Sequence, residues 1–533
     1  MSETSEVSKN STQAGVDEQD AHLFVLVHGL WGGPNHMRTI ESTITDLLPD
    51  ISKEKIVTLK PSSFRFWKTY DGLRLNSQKV ITEIFYEIEA LKGNNLNVKK
   101  ISFVGYSLGG LICRYIIGLL NEINFFDHVE PIIFTTFATP HVGIEFFNKN
   151  IFDSTANKLG RYLFGKSGRE LFLHDTQKAL KDMADPEKYF YQGLEKFQKH
   201  ILLANIKNDR SVAFYTSYIT EYSPFDDWSL VEIKYLSDLP TARIGKSHVK
   251  PKFVDLTQSN LLTKTEAEDF AGNIQEETSI LRRNKIIKVL VVIAITLFFL
   301  PIWIPTIVST SVFVSVYSLL KIRIVTAPNI EAHWARVRDS VFRGSPVDPQ
   351  DAKVGQDRRD QRRRLARHES FKGDTSQMTE NALENFMYAE ERFHRRSNAG
   401  NDDNIIEEED GQDDDEEEEL TTVLGRSKHI EIDVPGNDGQ AVAHLETLRL
   451  KDLSKFPLFT EQAKLAIGAD KKFIIDNLNQ LNWIKIPVYL DCWNAHDAIV
   501  SRRGPRTNAK GTSVIGLWCS ILRNHLSGKD KTS

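Results

Sequence analysis

The sequence predicts an α/β protein with a mostly parallel sheet covered by helices on both faces, and three observations carry the prediction. Short runs rich in β-branched and aromatic residues recur at Leu23 to Val27, Ile56 to Leu59, Ile101 to Val104 and Ile132 to Phe137. They place apolar residues at successive positions, as strands buried on both faces do. Between them lie segments of helical spacing. From Asn76 to Leu91, the residues Ile81, Ile84, Phe85, Ile88 and Leu91 form a stripe able to cover a sheet. With 533 residues, 41% of them apolar, the chain can bury a large core but is too long for one compact unit, so one main domain with appendages is expected.

Residues 1–20 are polar and lack the apolar core of a secretory signal, which predicts a disordered tail. The main domain is expected over 21–280. Within it, about 145–198 is helical in pattern and rich in aromatics (Phe146, Phe147, Phe152, Tyr162, Phe164, Phe172), a composition that suits a lid. A strand returns at Ile201 to Ile206, and β-like sequence follows at Val231 to Tyr235. No charged residue occurs between Val289 and Leu320, a span longer than the roughly 20 apolar residues that cross a bilayer core. Cations bracket it (Arg282, Arg283, Lys285, Lys288; Lys321, Arg323), so both ends are expected on one side of a membrane. A hydrophobic membrane hairpin over 285–323, turning at Pro301 and Pro305, follows.

Residues 345–425 are arginine-rich and then acidic, with thirteen acidic residues between Asp402 and Glu419, and are expected to form a disordered charged linker. Solvation explains such blocks more simply than contact with lipid headgroups or nucleic acid, so no nucleic-acid partner is expected. The main-domain pattern resumes over 450–505, with helical spacing from Leu458 to Leu481 and a strand at Ile486 to Leu490; 506–533 is expected to be a tail. Cys113, Cys492 and Cys519 have no metal-ligand or disulfide spacing, which suits a reducing compartment.

The chemistry is concentrated in Gly105-Tyr106-Ser107-Leu108-Gly109, which follows the strand Ile101 to Val104 and precedes the helix-compatible run Leu111 to Leu120. A strand that turns sharply into a helix lifts a serine hydroxyl above the sheet, and Gly105 and Gly109 leave room for the turn. In this context the G-x-S-x-G pattern predicts the α/β-hydrolase fold with Ser107 as nucleophile. A second glycine-rich loop, His28-Gly29-Leu30-Trp31-Gly32-Gly33, follows the first strand. The backbone N–H groups of Leu30 and Leu108 are the expected oxyanion donors; His28 is expected to brace the loop rather than act as base. The fold orders its triad Ser, Asp/Glu, His. Asp209, just beyond the strand Ile201 to Ile206, is the first choice of acid, with Asp227 in reserve. His496, after the last strand, is the first choice of base, with His248 as its rival. Gly160 to Ser167 matches the phosphate-loop pattern G-x-x-x-x-G-K-S, but polar sequence precedes it where a strand is needed, so nucleotide binding is not expected. No metal or other cofactor is expected.

His28-Gly29-Leu30-Trp31-Gly32, Gly105 to Gly110, Thr139-Pro140-His141-Val142-Gly143, Asn208-Asp209-Arg210 and His496 to Val500 together resemble the fungal "putative serine esterase" family that includes lipid-droplet phospholipases. The likeness covers roughly 21–260 and 450–505. It implies hydrolysis of lipid esters, with phospholipid or acylglycerol as substrate. It also implies Ser107 as nucleophile, favours His496 over His248, and points to action at a lipid-droplet or endoplasmic reticulum surface. Asp497 departs from the small residue expected after the histidine, and a carboxylate there can alter the imidazole.

Overall fold

The structure is a computed structural model. It describes residues 18–147, 151–237, 239, 241–244, 247–263, 300–324, 327–343, 430–433, 455–492 and 494–528, with isolated positions 353, 357 and 360. The tail before residue 18, most of the linker 345–425 and the start of the apolar run, 289–299, lie outside the described residues.

A seven-stranded sheet organises the chain. Its strands are β1 (Gln19–Val27), β2 (Lys55–Leu59), β3 (Leu96–Tyr106), β4 (Glu130–Phe137), β5 (Lys199–Asn205), β6 (Lys252–Phe253) and β7 (Trp483–Tyr489), in the spatial order β2-β1-β3-β4-β5-β7-β6. All neighbours pair in parallel except β7 and β6, which are antiparallel. The unbroken apolar run of β1 has a simple cause. Leu23, Val25 and Val27 enter the core on one face of the sheet, while Phe24 and Leu26 enter the core on the other. The first face is covered by α2 (Leu73–Lys92) and α3 (Leu108–Glu122), and the second carries α1 (Arg38–Leu47). The mostly parallel sheet and the sharp turn from β3 into α3 agree with the arrangement the sequence predicts.

The expected lid is helical but divides in two. Helices α4 (Ile151–Leu163) and α5 (Gly165–Leu171) are followed by α6 (Ala179–Asp182) and α7 (Tyr189–Glu195). Leu180 of α6 and Phe190 and Leu194 of α7 lie in the same core as β3 and α3, whereas Leu159 and Tyr162 of α4 are exposed. The second half of the segment is therefore main-domain core. The phosphate-loop pattern at 160–167 spans the end of α4 and the start of α5, where a helix stands in place of the strand such a loop requires.

The predicted hairpin turn at Pro301 and Pro305 is replaced by one continuous helix, α8 (Leu300–Ile324). Proline is compatible with this because Pro301 lies in the first turn, where no intrahelical N–H bond is needed, and Pro305 forfeits only one. Among the described residues no helix is long and apolar enough to cross a membrane. Helix α8 packs on α5, on α4 and on the 3₁₀ turn Phe66–Asp71. Its orientation inverts the usual arrangement: Ser311, Ser315 and Ser318 are buried against the protein, and Val312, Phe313, Val316, Tyr317 and Leu320 face outward, Phe313 being 71% exposed. A helix that the sequence left unassigned, Ile330–Val337, buries Trp334 against Phe85 and Phe125.

Residues 506–533 are not a tail. They carry α9 (Ala509–Leu526), whose Val514, Ile515, Leu517, Trp518, Ile521 and Leu522 are wholly buried between α1 and the second face of the sheet. The apolar positions 514, 515, 517, 518, 521 and 522 repeat at helical spacing, the signal that marks this segment as core.

Candidate active site

Ser107 sits at the tip of the turn between β3 and α3 with φ 54° and ψ −128°, a backbone region that a residue with a side chain adopts only when its surroundings force it. The forcing is close packing. A side chain at Gly109 would run into the carbonyls of Val27 and His28, and one at Gly105 would run into the backbone of Gly110. The loop after β1 lies directly against the serine: a Cβ added to Gly29 would stand 2.6 Å from the Ser107 Cβ. Among the described residues, neither the Leu30 nor the Leu108 N–H meets a protein acceptor. Leu108 opens a helix, so its N–H has no intrahelical partner either. His28 is buried, its Nδ1 lies 3.1 Å from the Gly29 carbonyl, and its ring stacks on Phe64 at 4.1 Å. Burial pushes its imidazole down to about 4, so it is a neutral brace for the loop.

Three side chains singled out from distant parts of the sequence meet here. His496 Nε2 lies 3.0 Å from Ser107 Oγ, and His496 Nδ1 lies 3.0 Å from Asp209 Oδ2. The histidine stands on the short helix Ala495–Ala498, beyond the end of β7, and the aspartate follows β5, so parallel strands bring both to the same edge of the sheet as the elbow. Asp209 is fixed on every side: Oδ2 also accepts from Asn205 Nδ2 at 2.9 Å, and Oδ1 accepts from the Ser211 and Val212 N–H groups at 3.0 and 2.8 Å. Burial alone raises this carboxyl, but the charge and hydrogen bond of His496, with the Asn205 and Val212 donors, outweigh it and hold the group below its ordinary range. For His496, burial acts to lower the imidazole, yet the Asp209 charge and hydrogen bond outweigh it and the net shift is upward.

Asp497 adds to that upward shift, while Arg502 opposes it. The Asp497 carboxylate enters a small network: it accepts from Tyr106 Oη at 3.1 Å, from Asn494 Nδ2 at 3.1 Å and from Arg502 Nη1 at 3.2 Å on both oxygens. Arg502 Nε donates to His36 Nε2 at 2.9 Å, which ties the histidine loop to the glycine loop after β1. The Tyr106 ring lies 5.0 Å from that of His496. Sequence reasoning flagged Asp497 but missed Tyr106, Arg502 and His36. A hydroxyl, a guanidinium and an imidazole far apart in the chain carry no local signature.

The structure gives the reserve choices other settings. Asp227 caps the 3₁₀ turn Trp228–Leu230 by accepting from the Ser229 N–H. His248 lies on the strand Ser247–Val249, opposite Arg243 in a separate small sheet. Among the described residues no group of three His, Cys, Asp or Glu side chains is arranged to hold a metal ion.

Comparison with known proteins finds similarity over part of the chain. Residues 17–220 match the family described as "Putative serine esterase (DUF676)". "Putative lipase C4A8.10" of Schizosaccharomyces pombe is 26% identical over 210 residues, 37% of this chain and 26% of that protein. "Putative lipase ROG1" of Saccharomyces cerevisiae is 29% identical over 214 residues, 38% of this chain and 29% of that protein. The match thus spans little more than a quarter of the length of these curated relatives. Among solved structures, carboxyl esterase 2 of the mycorrhizal fungus Tuber melanosporum aligns with 36% of this chain and 58% of its own, at 15% identity and a TM-score of 0.24. The stretch similar to the "putative serine esterase" family, 17–220, carries the glycine loop, the serine elbow and the aspartate.

Proposed function

We propose that the protein is a serine hydrolase that cleaves carboxylic esters of lipids through an acyl-enzyme. The observation that carries this reading is the unbroken path Asp209 to His496 to Ser107, with two hydrogen bonds of 3.0 Å. In this mechanism His496 Nε2 takes the hydroxyl proton as Ser107 Oγ attacks the acyl carbonyl carbon. The carbonyl oxygen becomes an oxyanion held by the Leu30 and Leu108 N–H groups. Asp209 holds Nδ1 protonated and stabilises the imidazolium. The proton on Nε2 then passes to the departing alcohol oxygen, the ester C–O bond breaks, and the acyl group remains on Ser107. Water, deprotonated by His496, releases the fatty acid and restores the serine.

Phospholipid or acylglycerol is the substrate class we assign, and a lipid-droplet or endoplasmic reticulum surface the place of action. The outward apolar side chains of α8, with Trp67 and Tyr162 nearby in the fold, support a lipid surface over a dissolved substrate. The names of the relatives, as lipases, support the ester class. A fluorophosphonate probe tests the reaction: the full chain is expected to label and Ser107→Ala to remain unlabelled, whereas no labelling of the wild type refutes it. Assays with phospholipid, monoacylglycerol and short nitrophenyl esters then rank the substrates.

A further inference from the structure

The loop that offers the Leu30 N–H is not self-supporting. Trp31 holds φ 51°, a left-handed conformation that costs a bulky residue free energy and persists only if neighbours fix it. Among the described residues, the hydrogen bonds that reach Trp31 and Gly32 from outside the loop come from the 3₁₀ turn Phe66–Asp71. The Trp31 N–H donates to Thr69 Oγ1 at 3.2 Å, the Phe66 N–H donates to the Gly32 carbonyl at 2.9 Å, and Trp31 Nε1 donates to Tyr70 Oη at 2.6 Å.

That turn is in turn anchored by α8. Tyr70 Oη lies 3.2 Å from Ser311 Oγ, and Ser311 Oγ donates to the Leu163 carbonyl. Because the serine proton is committed to that carbonyl, the remaining order is fixed: indole N–H to phenol oxygen, phenol O–H to serine oxygen, serine O–H to carbonyl. Chains with one direction strengthen each member. Asp71, one residue on, accepts from Ser318 Oγ at 2.8 Å and pairs with Lys321 at 2.9 Å, both on α8. The helix that turns its apolar side chains outward therefore grips, with its polar side, the turn that fixes the oxyanion loop.

We propose that Tyr70 is a positioning residue: locked by Ser311 of α8, it holds Trp31 and thereby keeps the Leu30 N–H beside Ser107. Helix α8 is then part of the catalytic scaffold. The inference rests on the proposed serine hydrolase reaction.

The test uses the full chain with a soluble nitrophenyl butyrate, so that lipid binding does not enter. Tyr70→Phe keeps the ring contacts with Trp31 and Phe164 and removes only the hydroxyl. It is expected to lower kcat roughly tenfold or more with KM little changed, since only an interaction made in the transition state is lost. It should weaken an aryl trifluoromethyl ketone, which forms an oxyanion on Ser107, by a similar factor. Ser311→Ala should give a smaller loss of the same kind and Ser311→Thr, which keeps the hydroxyl, should restore most of the rate. Tyr70→Phe with Ser311→Ala should lose less than the two effects combined, because the pair acts as one unit. Wild-type kcat, or undiminished affinity for the ketone, in a folded Tyr70→Phe overturns the proposal. Ser107→Ala, run alongside, separates the two claims: if it stays active the hydrolase reading itself fails, and if it is inactive while Tyr70→Phe is not, only the positioning role fails.

Discussion

Trp518→Ala is the sharpest probe of the fold, because it falls in a segment whose composition reads as a tail. The indole is fully buried, meets the Phe137 ring edge-on at 5.3 Å and donates from Nε1 to Thr135 Oγ1 at 3.1 Å. Removing a buried aromatic of this size costs about 3–5 kcal/mol, and stranding the Thr135 hydroxyl adds about 1 kcal/mol. Against a net stability of roughly 5–15 kcal/mol this is a large share. The melting temperature should fall by on the order of 10 °C, measured by circular dichroism on the purified chain. Truncation after residue 506 is the stronger perturbation. It removes six wholly buried side chains, Val514, Ile515, Leu517, Trp518, Ile521 and Leu522, each contributing about 1.5–3 kcal/mol. The total exceeds the stability of most domains, so the truncated chain should not fold. Trp518→Phe, which keeps most of the ring, should lie between wild type and Trp518→Ala. A truncated chain that melts with wild type and hydrolyses ester at the same rate would refute the assignment of α9 to the core.

Other outcomes follow from the site. Asp209→Asn should lower kcat by about 10³–10⁴ with little change in KM, because an amide N–H facing Nδ1 selects the tautomer in which Nε2 cannot accept the serine proton while linked to it; steady-state kinetics checks this. The acid limb of kcat/KM reports the free-enzyme imidazole, which must be neutral to act as base. Asp497→Asn removes a charge that raises His496, so the limb should move to lower pH; Arg502→Gln removes one that lowers it, so the limb should move to higher pH. Movement of both limbs in one direction would contradict this. Glu170 is buried, which raises its carboxyl from 4.5 to about 7 in the folded chain even though it accepts from the Leu73 N–H at 2.7 Å. The folded form binds this proton more tightly, so the group favours folding below pH 4.5 and that contribution is lost as pH rises through 7. Glu170→Gln, which keeps the acceptor, should therefore raise the melting temperature at pH 8 but hardly at pH 5, with a limit on the order of 3 kcal/mol.

The sequence by itself determined the sheet and its elbow. Both-face burial writes an apolar residue at every position of Phe24 to Val27, and a serine raised on a tight turn demands small residues at 105 and 109, so each feature leaves a local pattern. Asp209 and His496 were legible at one remove, because a parallel sheet sends the residues after its strands to one edge. Only the tertiary structure decided which apolar segments face protein. The run from Val289 to Leu320 and the segment after residue 506 are both hydrophobic, and hydropathy alone ranks the first as membrane and passes over the second. Packing reverses the emphasis: α9 closes a core face, while α8 buries Ser311, Ser315 and Ser318 against the main domain and leaves its apolar side outward. The same limit hid the network of Tyr106, Arg502 and His36 around Asp497. Hydrogen bonds between side chains hundreds of residues apart depend on where the chain returns, and no local pattern encodes that.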